Sequence, residues 1–146
     1  MFRASKTLPY PALFLRNIVA DVEQYPTFLP MIKAVKIFPK TSDFFYADVT
    51  VGSGILEKTY RSEVAVYDES VEAKAQPDNV FKFLESCWSF ESDEANRCQV
   101  NFFVNFELRS SLLQLTVGKV LDSAAKVTMT AFEQRAAGLW KNENNV

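Results

Sequence analysis

Ser110–Trp140 reads SSLLQLTVGKVLDSAAKVTMTAFEQRAAGLW, contains no proline, and follows a long run of strand-like alternation. The spacing predicts one long helix. Ser110 and Ser111 offer a capping hydroxyl immediately before the apolar periodicity begins. At about 100° per residue, Leu113, Val117, Leu121, Ala124, Thr128, Phe132 and Leu139 fall on one side, and Lys119, Ser123, Lys126, Thr130 and Gln134 on the other. With a rise of ~1.5 Å per residue the helix would be roughly 45 Å long, enough to cross a small domain. Its middle carries Gly118, Ala124 and Ala125, where a core helix ordinarily carries bulk. Either these small residues bring the helix close against a sheet, or helix and sheet leave a space that something else fills.

Outward from the helix, the rest of the chain supplies the sheet. Phe2–Tyr10 alternates as a first strand, and Tyr10-Pro11 opens a helix whose apolar face is Leu13, Phe14, Ile18, Val19 and Val22. Tyr25–Ile32, YPTFLPMI, is a second, short helical segment confined by Pro30. From Lys33 the period changes to two. Val35 and Ile37, then Ala47, Val49 and Val51, then Leu56, Tyr60, Val64 and Val66 mark inward faces of successive strands. A short strand from Val71 to Gln76 follows, and then Leu84, Trp88 and Phe90, and Val100, Phe102, Val104 and Phe106. Gly52-Ser53-Gly54, Asp68-Glu69-Ser70 and Pro77-Asp78-Asn79 supply turns. Short connections imply an antiparallel meander with one face covered by the final helix. No linker divides residues 1–140, which read as a single domain, and residues 141–146 read as a frayed tail.

Composition narrows the function. The 146 residues suffice for one core, and the net charge of −2 with scattered basic residues leaves no footprint for DNA or RNA. The absence of histidine excludes Ser-His and Cys-His nucleophile pairs and any His-ligated metal. Cys87 and Cys98 are badly placed for a bridge: with a turn over Glu91–Asn96, Cys87 falls opposite about residues 101–103. Reduced thiols, the lack of an apolar leader and the lack of an apolar run near ~18 residues point to a soluble chain in an intracellular compartment. Thirteen phenylalanines and 14% aromatic residues suit an apolar pocket wall, though aromatics also fill ordinary cores.

The pattern as a whole is α+β, a curved antiparallel sheet wrapped around a long C-terminal helix, the helix-grip (START/Bet v1-like) arrangement. FRASKTLPY (Phe2–Tyr10), DVEQYPTFLP (Asp21–Pro30), ADVTVG (Ala47–Gly52), the spaced Phe81, Leu84, Trp88 and Phe90, VNFFVNFELRSSLLQ (Val100–Gln114) and TAFEQRA (Thr130–Ala136) carry a resemblance. With them the chain resembles the coenzyme-Q-binding START-domain proteins of the polyketide cyclase/dehydrase-like superfamily, which includes ribosome-association toxin relatives. Met31-Ile32, Lys58, Asn79-Val80 and Ser86-Cys87 depart from the family's usual residues. The resemblance implies an intracellular lipid-binding domain that holds a ubiquinone-type isoprenoid as a non-catalytic carrier or chaperone supporting respiration. It also implies a cytoplasmic location, transiently at the inner membrane surface, on the matrix side in a eukaryote.

The expected cavity is apolar and elongated, lined by Val49, Val51, Tyr60, Leu84, Trp88, Phe102, Val104, Val117, Leu121 and Ala124. Tyr60, Lys58 and Ser86 are the polar side chains that this register turns inward. Lys58 is expected to snorkel to the rim and Tyr60 to donate to backbone. In YPTFLPMI, Phe28 is expected to fold over the core. Leu29 or Met31 is expected to project as an apolar tip that touches a bilayer transiently. Two rivals stand beside the carrier: a regulator that associates with the large ribosomal subunit, and a cyclase or dehydrase.

Overall fold

The computed structural model describes residues 1–144 except Thr41, Ser53 and Glu94, and the side chains of Leu56, Thr116, Val117, Leu121 and Asn144 lie outside the description. Seven strands form one sheet: β1 (Phe2–Leu8), β2 (Ile32–Phe38), β3 (Phe44–Val51), β4 (Lys58–Val66), β5 (Ser70–Ala75), β6 (Phe81–Ser92) and β7 (Cys98–Leu108). Their spatial order is β1-β7-β6-β5-β4-β3-β2, and every pairing is antiparallel. From β2 to β7 the sheet is a meander, as short loops require. β1 instead joins β7, so the segment between β1 and β2 must cross the sheet. It does so as helix α1 (Ala12–Ala20) and a 3-10 segment, Val22–Thr27.

Pro11 stands at the N-cap of α1 in an extended conformation, where its missing N–H costs nothing. The helix buries Leu15, Ile18 and Val19, whereas Leu13, expected on the inner face, is 58% exposed. Positions 15, 18 and 19 share one side of a 3.6-residue period, and that side docks on the core.

The long helix, α2 (Ser111–Asn144), starts where the serines indicate. Ser110 Oγ accepts the Leu113 amide at 3.2 Å, and the side chain of Gln114 reaches back to accept the Leu108 amide at 2.8 Å, tying α2 to the end of β7. The helix continues beyond Trp140 to Asn144, and residues 145–146 of the expected frayed tail lie outside the described residues. Among the described side chains, the face it buries is Ala125, Met129, Phe132 and Ala136, while Leu113 is 41% exposed. Ala125 and Ala136 bring the helix near its neighbours, and Trp140 packs on Tyr10 and Phe14 with ring centroids 5.5 and 5.0 Å away. Small residues here allow close approach in the C-terminal half of α2. Between the two alanines, Thr128 and Phe132 border a space.

Strand parity follows the alternation closely: Phe45, Ala47, Val49, Val64, Val71, Trp88, Phe90, Val100, Phe102 and Phe106 are all buried. Cys87 pairs with Phe103 and Cys98 with Ser92, so the thiols sit at different registers and both are free. Phe103 faces the outer side, where the Arg3 guanidinium lies 4.7 Å from its ring centre.

Candidate ligand-binding cavity

Between the inner face of the sheet, the 3-10 segment and α2 lies a cavity of about 190 Å³. Val49, Tyr60, Leu84, Trp88, Phe102 and Val104 line it, as their strand parity requires. Val51 and Ala124 do not. Val51 pairs with Ile32 beside a register shift in β2, and Ile32 takes the place on the wall. Ala124 is one turn before Thr128 on the same face and its methyl does not border the cavity, so Thr128 and Phe132 are the described lining of α2. The Val117 and Leu121 side chains lie outside the described residues.

The wall also includes residues that alternation does not assign to it. Tyr25, Leu29 and Val22 come from the crossing segment, and Ala73 and Ala75 come from β5. Leu29 is 5% exposed, so it is no outward tip. The chain turns at the end of the 3-10 segment, where the Leu29 amide bonds to Tyr25 O, and this folds Leu29 under the segment. Met31, at 44% exposure, does project. Phe28 closes over the core as expected, its ring 5.0 Å from Phe132.

One end of the cavity is closed by rings. Phe132 meets Tyr25 edge-on at 5.3 Å and Trp88 at 4.8 Å, and Trp88 stacks on Phe102. These aromatics shorten the expected elongated tunnel to a chamber that fits one substituted ring. A cavity of roughly 150 Å³ already accepts benzene. Outside the lining, two residues before Tyr60 on β4 and three beyond Ala75 of β5, lies a polar clasp. Lys58 Nζ lies 3.0 Å from the Asp78 carboxylate, which also accepts the Val80 and Phe81 amides, and Arg109 Nε donates to Asp78 O at 2.6 Å. Lys58 is ion-paired to Asp78 and does not line the chamber.

Among the described residues, every side chain lining the chamber is uncharged. Burial pushes the Tyr60 phenol up to about 12, and burial followed by the nearby Tyr60 raises Tyr25 further. Both phenols stay protonated at neutral pH. Tyr25 donates to Val19 O and Thr128 to Ala124 O. Tyr60, expected to donate to backbone, has no hydrogen-bond partner among the described residues, and neither do the Ser62 and Ser86 hydroxyls. Among the described residues no cluster of three or more His, Cys, Asp or Glu is placed to hold a metal, and no helix is long and apolar enough to cross a membrane.

Comparison with known proteins places this geometry in context. The family model for polyketide cyclase/dehydrase and lipid transport matches residues 8–133. The chain is 31% identical over 137 residues to the ribosome association toxin RatA of Pseudomonas aeruginosa, covering 93% of this chain and 94% of that protein. It is 33% identical over 141 residues to the mitochondrial coenzyme Q-binding protein coq10 of Schizosaccharomyces pombe, covering 92% and 85%. Among solved structures, the Zhui aromatase/cyclase of Streptomyces sp. R1128 superposes with a TM-score of 0.81 over 93% of this chain and 92% of that one. At 14% identity that likeness speaks for the fold alone.

Proposed function

The chain belongs to the polyketide cyclase/dehydrase and lipid transport family, and from that premise we propose that it binds a ubiquinone-type isoprenoid and carries or chaperones it for respiratory electron transport. The observation that carries the reading is the uncharged, aromatic-walled chamber. A fatty-acid carboxylate or phospholipid headgroup placed there would lose its hydration without a counter-charge, a cost of several kcal/mol. A neutral ring does not meet that cost. The similarity to a coenzyme Q-binding protein over 92% of the chain supports the same ligand class. A carrier need only match the bilayer, because an isoprenoid tail gains ~0.8 kcal/mol per buried CH₂ in either place.

Binding outranks catalysis on the same evidence. Among the described residues the lining offers no carboxylate, lysine or histidine, and a phenol raised to about 12 is a poor base at neutral pH. Exchange with a membrane would use Met31 together with Ile55, which is fully exposed. The two loops are joined by the Gly52 amide bonding to Met31 O at 3.2 Å. The test is native mass spectrometry of protein purified from a quinone-containing host, followed by organic extraction. Bound ubiquinone is the expected result. A stoichiometric fatty acid, or no lipid under gentle conditions, would overturn the reading.

The likeness to RatA supports a second reading, association with the large ribosomal subunit. The net charge of −2 weighs against direct contact with rRNA. Sedimentation of a lysate through sucrose at moderate salt decides between them: the carrier stays at the top, and a ribosome-associated protein co-migrates with large subunits.

A further inference from the structure

The hydroxyls of the chamber divide into two sets. Tyr25 and Thr128 have spent their protons on backbone carbonyls. Tyr60, Ser62 and Ser86 have not, among the described residues, although Ser62 is only 6% exposed. Tyr60 and Ser86 are half-buried, and the three residues line the chamber, so a molecule that enters it is what their hydroxyls can bond. Here all three line one region of one cavity.

The sheet register explains why they converge. Tyr60 and Ser62 are two positions apart on β4 and so share its inner face. Ser62 pairs with Ala75 of β5, and Ser86 of β6 pairs with Ala73 of β5. The middle strand thus presents only methyl groups between two strands that present hydroxyls. A larger side chain at either alanine would fill the space the hydroxyls face. Phe132 of α2, and next to Ser86 on the same sheet face the stacked Trp88 and Phe102, supply flat apolar surface.

We infer that Tyr60, Ser62 and Ser86 form a neutral donor arc that recognises the oxygen substituents on one edge of a planar ring. The inference rests on the carrier reading and deepens it, by naming which atoms of the ligand are read. Carbonyl and methoxy oxygens accept what the arc donates.

The test uses the full chain and two probes with the same ten-carbon tail: a 2,3-dimethoxy-1,4-benzoquinone and an unsubstituted benzene. Direct calorimetric titration measures both. Wild type should bind the quinone more tightly than the alkylbenzene. Tyr60→Phe should weaken the quinone about tenfold, the equivalent of ~1.4 kcal/mol, and Tyr60→Phe with Ser62→Ala and Ser86→Ala about a hundredfold. Alkylbenzene affinity should stay within a factor of about two, which also shows that the variants fold. Equal quinone binding by wild type and the triple variant would overturn the inference while leaving the carrier reading intact. Parallel loss of both probes would overturn it too, since the hydroxyls would then be structural. Failure of wild type to bind either probe would instead sink the carrier reading itself.

Discussion

Trp88 and Phe102 are cross-strand partners on β6 and β7, and their rings stack with centroids 4.1 Å apart and planes 22° from parallel. Direct antiparallel pairing brings such side chains into contact, and the offset stack adds ~0.5–1.5 kcal/mol beyond burial. The pair forms one wall of the chamber, so the indole reports on what enters. A bound quinone should quench Trp88 emission and leave that of Trp140, held in the Tyr10–Phe14 cluster, largely unchanged. Trp88→Phe should abolish the quench while lowering stability by less than ~1.5 kcal/mol. Quenching of the same size in that variant would place the ligand elsewhere.

Ala73 supports a space-filling test. It lines the chamber from β5, where a leucine would occupy ligand volume. Ala73→Leu should lose co-purifying quinone yet change unfolding free energy by less than ~1 kcal/mol, because overpacking penalties of ~1–3 kcal/mol arise only where no space exists. Urea unfolding and lipid extraction on the same preparation check both halves.

Leu29 and Met31 are two residues apart and should behave oppositely. Leu29→Asp puts a carboxylate into the chamber wall and should destabilise the fold by about 3 kcal/mol or more. Met31→Asp should stay within about 0.5 kcal/mol of wild type. Combined with Ile55→Asp, it should reduce liposome binding and the rate of quinone transfer between vesicles. Unaltered transfer by that pair would remove Met31 and Ile55 from the exchange route.

Asp78 predicts a pH dependence. Burial alone would raise its carboxyl, but the Phe81 and Val80 amides and the Lys58 ammonium outweigh this and hold it below the ordinary value of 3.8. A depressed folded pKa stabilises the fold above the unfolded value and is lost as pH falls through the folded one. The contribution should therefore be complete at neutral pH and fade below about pH 4. Asp78→Ala should cost roughly 1–2 kcal/mol at pH 7, by orphaning two amide donors, and the wild-type advantage should shrink on acidification. Thermal midpoints of both proteins from pH 7 to pH 3 measure this.

Local chemistry alone was enough to read much of this protein. Period-two alternation put Val49, Tyr60, Trp88, Phe102 and Val104 on one face, because side-chain direction in a strand is a property of the strand itself. The Ser110 hydroxyl marked the start of α2 for the same reason, since a cap acts within one turn. The phase of the helices was not legible. Leu13 and Leu113 are apolar yet exposed, and the face that is buried was chosen by what each helix docks against. The burial of Leu29 depends on the crossing segment folding beneath itself, and the closed end of the chamber depends on Tyr25, Phe28, Trp88 and Phe132 meeting from distant parts of the chain. Strand parity says which way a residue points. Only the tertiary packing of β4, β5 and β6 against α2 decides that Tyr60, Ser62 and Ser86 point into a space with no protein acceptor among the described residues, because an empty volume is a relation among surfaces and belongs to no single stretch of sequence.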